Sequence, residues 1–235
     1  MEMPKQTSLS VDPNFEAVLA GGGRPYEEGA PLLERGMELT GATKPNILWV
    51  PSAAGSEDFY NRYARDLRSF YTNRGASFHA LHDYPLINPE KSLGNDIDPT
   101  AVPSFAQAEE LIKTADNIVI PGGNPLQMER FWNRELEGGN GATLRDLLIG
   151  RILVPGVVVT GQSAGLNHWS ELFHTDAQSY VVDDGQPWEY DIQPGEGIMR
   201  GTVVVPHANK IVKMYPGKTV MREDDFNERM KDYED

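Results

Sequence analysis

The alternation of short apolar runs with longer amphipathic segments is the feature that most restricts the fold of this chain. Residues 46–50 (NILWV), 117–120 (NIVI) and 154–160 (VPGVVVT) are such runs, and side chains on both of their faces are apolar. This alternation is typical of an open parallel sheet covered by helices. We therefore predict one α/β domain over residues 15–235, with a mostly parallel central sheet flanked by helices, after a loose lead-in at residues 1–14.

Further elements follow from the same periodicity. We expect additional strands at residues 15–19, 77–81, 202–205 and 219–221, and helices at residues 57–73, 104–115, 126–132 and 143–150. Ser56 and Ser104 are candidate N-caps for the first two of these helices. Glycine-rich turns follow three of the strands, at residues 21–23, 122–124 and 161–165. Ligands bind beyond the carboxyl ends of parallel strands, so these turns should lie at one edge of the sheet.

Composition excludes several classes of function. The chain contains no cysteine, which removes disulfides, thiolate metal ligands and a cysteine nucleophile. A net charge of −14 argues against a non-specific nucleic-acid binder, which needs a basic surface. The apolar runs are too short to cross a bilayer, and the first residues, MEMPKQTSLS, lack the pattern of a signal peptide. We expect a soluble, cytoplasmic protein with neither nucleic-acid nor membrane partners.

The segment VVVTGQSAGLNHW carries the clearest chemical signal. A buried strand runs into G-x-S-x-G at residues 161–165, and LNHWSEL after it is compatible with a helix. A strand–G-x-S-x-G–helix turn is the nucleophile elbow, which exposes the serine oxygen, here that of Ser163. The amide of Ala164 would then face a developing oxyanion. The alternative is a strand-to-helix turn in which Ser163 only caps the helix.

A second glycine turn, PGGN at residues 121–124, ends a neighbouring strand. Backbone amides in such a turn can point at an anion, so Gly123 could supply a second oxyanion donor beside Ala164. The alternative is a glycine turn that binds no ligand.

A serine nucleophile needs a base, and the chain has five histidines. His207 ranks first because it follows the strand at residues 202–205 and should reach the same edge as Ser163. His168 would lie on the elbow helix and point away from the serine. The acid that orients the base stays open among Asp176, Asp183, Asp184, Asp191, Glu223, Asp224 and Asp225.

Residues 46–209 resemble the peptidase E (aspartyl dipeptidase) and cyanophycinase family of serine peptidases. The segments that carry the resemblance are, in order, IVIPGGNPLQM, VPGVVVTGQSAGLNHW and VVPHAN. The resemblance implies a class I glutamine amidotransferase-like, flavodoxin-like sheet. It implies Ser163 as the nucleophile, His207 as the general base, and the amides of Ala164 and Gly123 as the oxyanion hole. The related amidotransferases have cysteine at the elbow.

The resemblance also offers two positions for the acid. Asp176 matches an aspartate soon after the elbow helix, and Glu223 matches a glutamate after the strand beyond the histidine. We prefer Glu223 and place Asp176 second.

The function that the resemblance implies is hydrolysis of small peptides or amides through an acyl-enzyme. It implies no metal or organic cofactor, and it leaves room for a homodimer. Two alternatives keep the same fold: an esterase or other small-molecule hydrolase with the same triad, and a non-enzymatic member that binds a ligand or partner.

Overall fold

A computed structural model describes residues 10–20, 30–87, 97–174, 181–182, 192–204 and 219–220. The strands are β1 (Ser10–Val11), β2 (Glu16–Ala20), β3 (Asn46–Trp49), β4 (Ser77–Ala80), β5 (Asn117–Ile120), β6 (Val158–Gln162), β7 (Ser170–His174), β8 (Val181–Val182), β9 (Ile192–Pro194), β10 (Met199–Val204) and β11 (Thr219–Val220). The helices are α1 (Ala30–Leu39), α2 (Glu57–Thr72), α3 (Phe105–Thr114), α4 (Pro125–Trp132), α5 (Leu144–Ile152) and α6 (Ala164–Asn167), and a 3-10 turn spans Pro99–Ala101.

The central sheet has five strands in the order β2-β6-β5-β3-β4, and every neighbouring pair is parallel. This confirms the predicted α/β fold with a mostly parallel central sheet. After β3 the chain adds β4 on one side, and it then returns to place β5 on the other side. The order therefore reverses between β3 and β5, and such a switch point opens a crevice at the carboxyl ends of the two strands.

Both faces of the central sheet are buried, as the apolar runs predict. One face packs against α3, α4 and α5 through alternate side chains of the middle strands: Leu48, Val50, Ile118, Ile120 and Val159. The other face packs against α1 and α2 through the intervening side chains: Ile47, Trp49 and Val119. Adjacent residues of one strand thus enter different cores, which fixes the register because a slip by one residue would exchange the two faces.

Side-chain caps set where several helices begin. The Ser56 hydroxyl accepts a hydrogen bond from the Phe59 amide at 3.2 Å, as predicted for the start of α2. Reciprocal capping boxes start α3 at Ser104 and α5 at Thr143. A cap of this kind is worth about 1 kcal/mol.

The predicted helix over LNHWSEL is wrong beyond its first turn. Helix α6 ends at Asn167, and β7 follows. Strand β7 pairs on one side with β10 and on the other with β9, in a second sheet of order β1-β10-β7-β9. Pairing on both edges outweighs a weak local helical pattern. The second sheet also includes Ser10–Val11, which lies in the predicted loose lead-in and pairs with β10.

Candidate active site

The elbow (residues 161–165) joins β6 to α6 and holds Ser163 in an uncommon backbone conformation. Its φ is 53° and its ψ is −113°, whereas non-glycine residues rarely adopt positive φ. The Ser163 side chain makes no capping hydrogen bond to α6, so the interpretation of Ser163 as a helix cap is wrong. A strained serine between a buried strand and a helix is the backbone arrangement that the G-x-S-x-G motif predicts, and its role as a nucleophile stays a prediction.

Close backbone contacts explain both glycines of the G-x-S-x-G motif. A Cβ atom on Gly165 would lie 2.1 Å from the Ile120 carbonyl oxygen, and one on Gly161 would lie 2.5 Å from the Gly165 carbonyl oxygen. No side chain fits at either position. The elbow is therefore packed directly on the end of β5, and this packing holds Ser163 in its strained conformation.

The glycine turn (residues 121–124) lies directly against Ser163. A Cβ atom on Gly122 would lie 2.9 Å from Ser163 Cβ and 3.4 Å from Ser163 Oγ. Within the described residues, the N–H of Gly123 donates to no backbone carbonyl. Ala164 is the first residue of α6, so its N–H has no partner within the helix. The two amides predicted as oxyanion donors thus belong to segments that meet at Ser163.

The loop after β3 (residues 51–55) forms the back wall of the glycine turn. The Asn124 N–H donates to the Ala53 carbonyl at 2.9 Å. Gly123 has a φ of 147°, and a Cβ atom there would lie 1.8 Å from the same oxygen. Only glycine can therefore occupy this position without moving the loop.

Gln127 joins this loop to α4. Its side-chain amide is fully buried, and Nε2 donates to the carbonyls of Ser52 and Ala54 at 2.9 and 3.0 Å. In the described structure Gln127 Oε1 has no partner. A buried polar atom left unpaired costs about 1–3 kcal/mol. Gln127 is thus not an optimal choice for stability alone.

A neutral hydrogen-bond network lies beneath the same loop. Ser52 Oγ lies 2.8 Å from His82 Nε2, and the Trp132 indole N–H donates to Ser52 Oγ at 3.0 Å. His82 Nδ1 lies 2.7 Å from the Asp83 carbonyl, which can only accept, so Nδ1 carries the proton and Nε2 accepts from Ser52. Burial lowers the pKa of His82 to about 4, although the bond to Asp83 opposes the shift.

His168 is also a buried, structural histidine. Its Nε2 donates to the Pro125 carbonyl at 3.2 Å, and its ring lies against Trp132. Burial lowers the pKa of His168 to about 4; the bond to Pro125 opposes this shift, and the charge of Arg145 adds to it. His168 is 2% exposed, which fits the expectation that its ring does not serve Ser163.

The structure thus brings Ser163, Ala164 and Gly123 together. His207, Glu223 and Asp176 lie outside the described residues, and their roles stay predictions. Sequence reasoning did not find Gln127, Ser52 or His82. The position of Ser52 and His82 just beyond the ends of β3 and β4 was the only available signal.

The described part of the chain offers neither a metal-binding cluster nor a membrane-spanning helix. No group of three or more His, Asp or Glu side chains there could hold a metal ion. None of the helices described above combines the length and apolarity needed to cross a membrane.

Fold and site together define an α/β protein with a serine on a strained strand-to-helix turn, beside a glycine turn at the carboxyl edge of a parallel sheet. The chain belongs to peptidase family S51, whose family model matches residues 17–231. It is accordingly a serine-type peptidase or hydrolase.

The solved structures that resemble the chain include the following two. One is a peptidase from an acI-B1 Actinobacterium, with a TM-score of 0.56 and 22% identity over 86% of this chain and 72% of that chain. The other is a peptidase E candidate from Listeria monocytogenes EGD-e, with a TM-score of 0.42 and 15% identity over 72% of this chain and 65% of that chain. The search of curated proteins gave no sequence match. The first of these structures supports the fold alone.

Proposed function

We propose that this protein hydrolyses small peptides through an acyl-enzyme on Ser163, with His207 as the general base. The observation that carries the proposal is the position of Ser163. It lies at positive φ on the elbow, in contact with the glycine turn and next to the first amide of α6. A serine held in this way presents its oxygen to a substrate carbonyl, and the amides of Gly123 and Ala164 stabilise the charge that develops.

The reaction would follow the usual order of serine acyl transfer. Ser163 Oγ forms a bond to the carbonyl carbon while its proton passes to His207, and the carbonyl oxygen becomes an oxyanion. The C–N bond then breaks as His207 returns the proton to the leaving amine. Water, deprotonated by His207, releases the acid product and regenerates Ser163. Each oxyanion donor contributes about 3 kcal/mol by comparison with other hydrolases.

An acid has to orient His207 and stabilise its charged form. We propose Glu223 for this role, with Asp176 second, on the resemblance given above. Replacing each by its amide separates them. The variant that lacks the orienting acid should have a kcat about 10⁴-fold lower than wild type, because the imidazole of a triad then takes the wrong tautomer. The other variant should keep a kcat close to that of wild type.

Labelling by a fluorophosphonate probe tests the proposal. Wild type should be labelled at Ser163, and Ser163→Ala and His207→Ala should lose labelling or be labelled far more slowly. Ser77→Ala is a control, because Ser77 is the first residue of edge strand β4 and lies at the amino end of the parallel strands, whereas Ser163 lies at their carboxyl end. Folded wild type that stays unlabelled, also by a smaller probe, would contradict the proposal and favour a binding protein.

Substrate length and bond type need a separate measurement. Wild type should release amino acids from dipeptides faster than from longer peptides, as the resemblance to dipeptidases implies. Turnover of activated esters without any peptide cleavage would instead identify an esterase.

A further inference from the structure

The glycine turn has no side chains at Gly122 and Gly123 that could fix its backbone conformation. Glycine is also the residue with the most conformational freedom. The predicted oxyanion donor at Gly123 nevertheless has to be held to a fraction of an ångström, because the stabilisation depends on preorganised geometry. Some other part of the molecule must therefore fix the turn.

The contact that fixes it is the Ala53 carbonyl. This oxygen accepts the Asn124 N–H and fills the space where a Gly123 side chain would be. The position of the Gly123 amide relative to Ser163 thus depends on where the loop at residues 51–55 places Ala53.

Gln127 holds Ala53 from both sides. Its Nε2 atom donates to the carbonyls of the preceding and the following residue, Ser52 and Ala54. Gln127 lies in the first turn of α4, and its own N–H donates to the Asn124 side chain at 3.1 Å. The glycine turn, the start of α4 and the loop after β3 therefore form a closed ring of hydrogen bonds.

The Ser52 side chain ties this ring to the rest of the fold. Its hydroxyl donates to His82 beyond β4 and accepts from Trp132 at the end of α4. The hydroxyl thus donates one hydrogen bond and accepts another, and the residue is fully buried. Ser52 and His82 are accordingly not a second catalytic pair, since no substrate reaches them.

We propose that Gln127, supported by Ser52, is a positioning residue for the oxyanion hole. Its double hydrogen bond sets the Ala53 carbonyl, which in turn sets the Gly123 amide opposite Ser163. This inference rests on the proposed role of Ser163. Removing the Gln127 donors should leave ground-state binding intact and weaken the interaction that forms only with the charged intermediate.

The test is the rate of fluorophosphonate labelling at Ser163, resolved into the maximal rate constant and the probe concentration at half-maximal rate. Gln127→Met keeps the side-chain length and removes both donors. We expect the maximal rate constant to fall about 10- to 100-fold. This decrease should not exceed the decrease caused by removing a whole oxyanion donor. The half-maximal concentration should change by less than about twofold. Final labelling stoichiometry gives the competent fraction, so partly misfolded protein does not imitate the effect.

Arg151→Met is the matched control. Like Gln127, Arg151 donates two side-chain hydrogen bonds to the backbone. Both go to the Ala115 carbonyl, at 3.1 and 2.7 Å. Ala115 precedes β5, so this pair lies at the opposite edge of the sheet. The variant should lower the melting temperature without changing the labelling rate per competent site.

Ser52→Ala carries the same test if Gln127→Met does not fold, with a smaller expected loss of rate because the Gln127 bonds remain. Wild type labelled at Ser163 together with variants that keep the wild-type rate would overturn the positioning role and leave the proposed function standing. Wild type that is not labelled would overturn both.

Discussion

Two buried histidines should make the protein lose stability steeply below neutral pH. Burial lowers the pKa values of His82 and His168 from 6.5 to about 4. Between pH 6.5 and pH 4 the unfolded chain therefore binds a proton at each ring that the folded protein does not bind. Since the unfolded state binds more protons in this window, the free energy of unfolding falls as the pH falls.

The magnitude follows from the size of the window. Each tenfold increase in proton concentration is worth about 1.4 kcal/mol per ring while only the unfolded state is protonated. At pH 5 each histidine therefore lowers the free energy of unfolding by about 2 kcal/mol relative to pH 7.5, and the two together by about 4 kcal/mol. A loss of this size is a large part of the roughly 5–15 kcal/mol that typically separates folded from unfolded domains.

Urea denaturation at pH 7.5 and pH 5 measures this loss. His82→Gln keeps an acceptor for Ser52, and His168→Gln keeps a donor for the Pro125 carbonyl. Each variant should be less stable than wild type at pH 7.5, yet each should show about 2 kcal/mol less loss between the two pH values.

His79→Asn, at an exposed ring on β4, is the control for removing any histidine and should keep the full wild-type loss. The reasoning would be refuted if His82→Gln and His168→Gln lost as much stability on acidification as wild type does. Carboxylates contribute equally to all these proteins, so they cancel in the comparison.

Substitutions at three further positions test the packing of the glycine turn, of α5 and of the segment between β9 and β10. Gly122→Ala places a Cβ atom 2.9 Å from Ser163 Cβ, which has to shift. Fluorophosphonate labelling should slow about tenfold or more, because a shift of about 1 Å in a catalytic group can greatly lower the rate of an enzyme. An unchanged labelling rate would contradict the close contact between Gly122 and Ser163. Gly150→Ala, in α5 where nothing lies within 4 Å of the added Cβ, should raise the free energy of unfolding by about 0.5–1 kcal/mol in urea denaturation. Burial raises the pKa of Glu196 despite its ion pair with Arg145 at 2.8 Å. Glu196→Gln should therefore destabilise less than Glu196→Ala, which among the described residues leaves the partly buried guanidinium only its 3.5 Å hydrogen bond to Asn133 Oδ1. The order of the two melting temperatures checks this.

Periodicity in the sequence was sufficient to predict the central sheet because its three middle strands, β3, β5 and β6, are buried on both faces. Ser56 and Ser104 similarly predicted helix starts, since capping depends only on local chemistry. Strand β7 could not be predicted in this way: its partners, β9 and β10, lie well beyond it in sequence, and local helical preference was the only signal near the elbow.

The candidate site likewise contains residues that a local sequence motif predicts and residues whose role depends on contacts distant in sequence. The glycines and the serine of the elbow are read from adjacent residues, so the motif predicts their geometry. The role of Gln127 depends on carbonyl groups 73 and 75 residues away. Any residue can supply a carbonyl, so no pattern of side chains in the sequence marks the two that Gln127 binds.

The contact between the elbow and the end of β5 also has a consequence for folding kinetics. Gly165 lies against the Ile120 carbonyl, and Ser163, two residues before it, has a strained conformation that its own sequence does not favour. Until β5 and β6 have paired, nothing holds the serine in that conformation. A refolding chain should thus regain helical content and apolar collapse before it regains a reactive serine, and recovery of labelling should follow the slowest step of sheet assembly.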